Sequence, residues 1–157
     1  KLKMTRDEVR REMKESEGSP EVKGRIRQMQ MQLSQRRMME AVPGADVVVV
    51  NPTHYAVALK YEAGRMNAPT VVARGVDELA LRIRQVADGN RVAIVSAPPL
   101  ARALYRESQL GKEIPVRLYS AVAQILSYVY QLRTWRGGPM PQQPAIDIDE
   151  FGKGGRP

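Results

Sequence analysis

The chain opens its central part with a continuous apolar run, Val47-Val48-Val49-Val50, followed after four residues by an alternating stretch, Tyr55-Ala56-Val57-Ala58-Leu59-Lys60. The pattern predicts two strands, 45–51 and 54–61, joined by a turn at Asn51-Pro52. Pro69 leads into a third strand, Thr70-Val71-Val72-Ala73-Arg74. Asp77-Glu78 starts a helix with Leu79, Ile83 and Val86 on one face, and Gly89-Asn90 ends it. Arg91 to Val95 reads as a fourth strand. Pro98-Pro99 begins a helix with Leu100, Ala103 and Leu104 inward, closed by Gly111 and Pro115. Leu118, Val122, Ile125, Val129 and Leu132 recur at helical spacing and form the clearest amphipathic helix. Strands alternating with helices place the fold in the α/β class, a small four-stranded sheet surrounded by helices.

The first forty residues have a different texture. Thr5-Arg6-Asp7-Glu8 is a capping-box pattern that opens a charged helix. Gly18-Ser19-Pro20 interrupts it, with Ser19 placed to cap a second helix and Pro20 at its first position. Val22, Ile26, Met29 and Leu33 make only a narrow apolar stripe, so this helix buries little by itself. Met29, Met31, Met38 and Met39 suit an adaptable partner surface or gap-filling in a core. The expected organisation is a helical arm over 1–42, a globular domain over 43–135, and a disordered tail over 136–157, rich in Gly, Pro and Gln. Within the tail, Asp147, Asp149 and Glu150 beside Ile146, Ile148 and Phe151 have the composition of a short docking motif. A solvated tail is the other reading.

Composition narrows the partners. The 157 residues carry a net charge of +8 and no cysteine, which excludes disulfides and thiolate metal sites. Residues 1–40 and 41–134 each contribute +4 and the segment from Trp135 contributes nothing, so the charge is not massed in one arm. A basic, solvated surface accounts for it, as does attraction to an anionic membrane. With one Phe and one Trp the chain lacks aromatic platforms among its basic residues, and no nucleic-acid partner is expected. His54 is the sole histidine, and Gly152-Lys153-Gly154-Gly155 falls in the tail rather than after a strand. Neither a metal, a nucleotide nor another cofactor is expected.

The candidate chemistry lies at Asn51, Pro52, Thr53 and His54. The carboxamide nitrogen of Asn51 is able to attack its own residue's carbonyl carbon, closing a five-membered succinimide and expelling the nitrogen of Pro52. Proline has no backbone N–H, which blocks the competing attack of the following amide on the Asn side chain. It also restricts the residue before it to extended conformations. A neutral carboxamide is a weak nucleophile, so either a base removes its proton or donors stabilise the oxyanion. His54 fits the role of base, or alternatively shapes the turn by hydrogen bonding. Thr53 reads as a turn-shaping residue. The alternative reading of the four residues is an ordinary turn.

Asn51-Pro52-Thr53-His54 in this setting, with Lys23-Gly24-Arg25-Ile26-Arg27-Gln28 upstream and Ala97-Pro98-Pro99-Leu100-Ala101-Arg102-Ala103-Leu104-Tyr105 downstream, resembles the FlhB/YscU export-switch family of type III secretion, its flagellar branch in particular. The resemblance runs from about Lys1 to Trp135. It implies self-cleavage between Asn51 and Pro52, with both pieces staying together, and a switch of the exporter from rod and hook substrates to filament substrates. It implies partners in the export apparatus, a hook-length ruler protein and the export substrates, at the cytoplasmic face of the bacterial inner membrane. With Lys1 first and no apolar run near the ~20 residues of a membrane helix, the membrane part that the resemblance implies is expected upstream, joined through the arm. Such a cut is a single turnover, so no enzyme acting on other molecules is expected. The alternative is a non-cleaving basic interaction domain for nucleic acid or membrane surface.

Overall fold

The computed structural model describes residues 5, 6, 8, 10, 11 and 18–149. The chain divides into two units, 1–37 and 38–157. In the first, the Thr5 hydroxyl accepts the Glu8 N–H at 3.1 Å and the Glu8 carboxylate accepts the Thr5 N–H at 3.3 Å, the reciprocal pair of a capping box. Helix α1 spans Pro20–Ala41. Its first turn is capped by Ser19, whose Oγ accepts the Val22 N–H at 3.1 Å. Ile26, Met29 and Leu33 of the narrow stripe are all exposed, as expected for a helix with too little apolar surface to pack.

In the second unit the last turn of α1 turns inward. Met38 is buried, and its sulfur accepts the Arg74 N–H at 3.5 Å. A 3-10 turn, Val42–Gly44, leads to strand β1, Val47–Asn51. Strand β2 is Tyr55–Lys60 and strand β3 is Thr70–Val76. Helix α2, Asp77–Gly89, leads to strand β4, Ala93–Ser96. Helix α3 is Pro98–Glu107 and helix α4 is Tyr119–Thr134. The sheet order is β3-β2-β1-β4, with β1 antiparallel to β2 and parallel to β4. The fold is therefore α/β, a four-stranded mixed sheet among helices.

The valine run is continuous because β1 is covered on both faces. Val47 and Val49 join a core with Leu100, Leu104, Val122 and Ile125 of α3 and α4. Val48 and Val50 join a second core with Met38, Val42 and the Ala80, Ile83 and Ala87 side of α2. In β2, Val57 and Leu59 face the first core and Ala56 and Ala58 the second.

Several boundaries differ from the periodicity. β1 begins at Val47 rather than 45, because Asp46 turns its carboxylate to the Tyr61 N–H at 2.7 Å. β3 continues to Val76, since β2 pairs with it as far as Tyr55↔Val76. β4 starts two residues late, after Arg91 takes a positive φ of 59° to leave α2. α3 stops at Glu107, short of Gly111 and Pro115. The chain instead lays 111–114 along the outer edge of β3, where Val71 N–H donates to the Lys112 carbonyl at 2.9 Å and Gly111 N–H to the Val71 carbonyl at 2.8 Å. The described residues 136–149 form neither helix nor strand, in line with their composition, yet Gln143, Ile146 and Ile148 touch the domain. Glu150, Phe151 and the glycines at 152, 154 and 155 lie outside the described residues.

Candidate functional site

Asn51 closes β1 opposite Tyr55, the first residue of β2. Between them the backbone reverses in one tight turn. The His54 N–H donates to the Asn51 carbonyl at 2.9 Å. Pro52 is the second residue of that turn, and Thr53, the third, has φ 72°. A proline followed by a positive φ, closed by this hydrogen bond, is the pattern of a type II turn, which normally puts glycine where Thr53 stands. A β-branched residue there is held against its preference, at a cost of about 1–3 kcal/mol.

A second anchor comes from outside the hairpin. The His54 carbonyl accepts the Asp77 N–H at 3.0 Å, tying the turn to the start of α2. Asp77 itself has φ 49°. Pro52, Thr53 and His54 are exposed, whereas Asn51 is half-buried. Asn51 and His54 share an open cleft of about 510 Å³ with Tyr55, Val76, Asp77 and Arg102. Behind the turn, the Tyr55 ring lies 5.0 Å from that of Tyr105. The Arg74 guanidinium sits 4.0 Å over the Tyr105 ring and donates to the Tyr105 carbonyl at 2.8 Å.

All four residues expected from the sequence therefore lie on one exposed turn. The donor found on the Asn51 carbonyl is the backbone N–H of His54, not its imidazole. Asp77, Val76, Arg102 and Tyr105 were not legible as neighbours of the turn. No local motif marks them, and only the β2–β3 register and the placement of α3 bring them there. Among the described residues no cluster of three His, Asp or Glu side chains is placed to hold a metal, and no helix is long and apolar enough to cross a membrane.

A model of the family described as FlhB, HrpN, YscU and SpaS matches residues 1–129. The chain belongs to the FlhB/YscU family. It is 58% identical over 146 residues to the flagellar biosynthetic protein FlhB of Salmonella typhimurium, a match covering 92% of this chain and 38% of that protein. The corresponding Bacillus subtilis protein is 46% identical over 132 residues, covering 84% of this chain and 37% of that one. The chain thus spans well under half the length of these FlhB relatives. The crystal structure of the cytoplasmic domain of FlhB from Shewanella putrefaciens is similar, with 54% identity and a TM-score of 0.62 over 68% of this chain and 87% of that one. An EscU C-terminal domain carrying an asparagine-to-alanine mutation shares the fold at 31% identity, with a TM-score of 0.56 over 57% of this chain and 90% of that one. The FlhB/YscU family is one of type III export-apparatus components, and these FlhB relatives serve flagellar biosynthesis.

Proposed function

We propose that this chain is the self-cleaving switch of a flagellar type III export apparatus, cut between Asn51 and Pro52. The observation that carries the reading is the turn itself. The carbonyl whose carbon would be attacked accepts the His54 N–H at 2.9 Å, in a turn strained at Thr53. That donor favours the oxyanion of the tetrahedral intermediate. In the step, Asn51 Nδ2 bonds to the Asn51 carbonyl carbon and the bond from that carbon to the Pro52 nitrogen breaks. One Nδ2 proton ends on the departing Pro52 nitrogen, and water later opens the succinimide. The reaction occurs once per chain and acts on no other molecule. His54 acts chiefly through its backbone in this account, and its exposed imidazole is free to relay the proton.

The arrangement of strands supports retention of both pieces. β1, the end of the first piece, lies between β2 and β4, and both neighbours belong to the second piece. The cut then frees an exposed turn without opening the sheet. On this reading the freed turn changes the surface offered to export partners, so that filament subunits engage in place of rod and hook subunits, with the hook-length ruler as a further partner. The site of action is the cytoplasmic face of the inner membrane, beneath a membrane part outside this sequence, with residues 1–42 as the connecting arm.

Intact-mass measurement of the denatured protein tests the cut. Fragments 1–51 and 52–157 are expected without added protease, and Asn51→Ala is expected to give one chain. A wild-type protein that stays uninterrupted after long incubation in the folded state overturns the reading and favours a plain basic interaction domain. A cleavage-blocked Asn51→Ala protein that still switches substrates normally overturns the switching role alone.

A further inference from the structure

After α4 the chain passes through Gly137 and Gly138, both at positive φ (116° and 78°), and turns back over the domain. Its course is marked at two places. Gln143 Nε2 donates to the Ser96 carbonyl at 2.7 Å, at the end of β4. This carbonyl lies on the outer edge of the sheet, since the Ala97 N–H next to it is the group that reaches Val50 of β1. Ile146 and Ile148 are half-buried against the core formed by α3, α4, β1 and β2, while Asp147 between them is exposed. Arg117 precedes α4 and binds Glu107 at the end of α3. Its pKa is raised chiefly by the Glu107 hydrogen bonds, and the Asp149 charge adds to the effect.

The segment therefore starts beside the beginning of α3 and lies against the first core. Half-buried Ile146 and Ile148 flank exposed Asp147, so alternate residues face the domain, the pattern of an extended conformation. An open cleft of about 500 Å³ remains beside it, lined by Ser120, Gln124, Ser127 and Gln131 of α4 with Gln142 and Pro144 of the segment.

We infer that the α3–α4 face is a docking site for an extended peptide alternating aliphatic and acidic residues, occupied in cis by residues 141–149. The aliphatic side chains seat on the α3–α4 core, and Asp147 between them faces solvent. Tethering gives the cis segment an effective concentration in the millimolar range, so a partner's peptide of the same chemistry enters only when the strap lifts. The test adds a synthetic peptide of residues 141–149 in trans to the full chain and to an Ile146→Ser/Ile148→Ser variant, read by NMR titration. The variant is expected to bind the peptide at least tenfold more tightly than the wild type, with shifts centred on Leu104 and Ile125. A peptide of scrambled order is expected to bind neither. Gln143→Ala, which leaves both isoleucines in place, is expected to bind more tightly than the wild type by a smaller factor. Equal binding by the wild type and both variants, or no binding by a variant whose circular dichroism matches the wild type, overturns the inference.

Discussion

Replacing Val49 by alanine tests how β1 is held. Val49 has no solvent exposure and stands in register between Val57 of β2 and Val95 of β4, all three in one core. The change deletes two buried carbons, about 0.8 kcal/mol each by transfer. A residual cavity between three strands raises the total to about 2–3 kcal/mol. At 1.4 kcal/mol per factor of ten, that loss corresponds to a roughly 30- to 140-fold weaker hold on the first piece once the chain is nicked. The assay dilutes nicked protein and follows release of fragment 1–51 on native gels. Urea unfolding of the uncut Asn51→Ala background gives the same energy independently. Leu81→Ala, at a side chain 50% exposed on α2, serves as the control. If Val49→Ala releases the fragment no faster than this control, burial of β1 between its two neighbours is not what keeps the pieces together.

Thr53→Gly relieves the positive φ at 72° and is expected to slow self-cleavage by roughly 5- to 150-fold, if the 1–3 kcal/mol of strain is released on the way to the transition state; an unchanged or faster single-turnover rate counts against that. His54→Ala keeps the backbone N–H and is expected to slow the cut less than tenfold. His54→Pro removes the donor on the Asn51 carbonyl and is expected to slow it by roughly 10²–10³, with urea unfolding to check that the hairpin survives. Equal losses in the two variants would assign the effect to the imidazole. Gly75→Ala places a Cβ 2.7 Å from Leu79 Cγ and 2.9 Å from Leu79 Cβ, and is expected to destabilise the domain by about 1–3 kcal/mol in urea; a neutral midpoint would mean that the start of α2 yields.

The hairpin, the helix starts and the turn at Asn51-Pro52 were legible because each depends on a short stretch of chain. A valine run, an Asn-Pro step and a Ser-Pro cap carry their conformational preferences with them. The helix over Leu118 to Leu132 was legible because its apolar period repeats over four turns, and the observed Tyr119–Thr134 helix buries Val122, Ile125 and Val129 as that period requires. The ends of elements were less so. Whether β3 reaches Val76, or α3 continues past Glu107, depends on which neighbour offers a hydrogen-bonding edge, and that information is not local.

Two matters lay beyond the reach of the residues alone. The first is that β4, whose residues pair with β1 residues 46 positions earlier, closes the second edge of β1, so that both neighbours of the valine strand come from beyond the turn. Local pattern names strands but not their spatial order, because pairing across distance is set by how helices cover the two faces of the sheet. The second is the donor on the Asn51 carbonyl. The four residues of the turn state which atoms are present, but whether His54 offers its ring or its backbone depends on the φ of Thr53 and on the Asp77 N–H that anchors the turn from α2. Chemistry written in a short motif becomes geometry only when the packed sheet holds that motif in one shape.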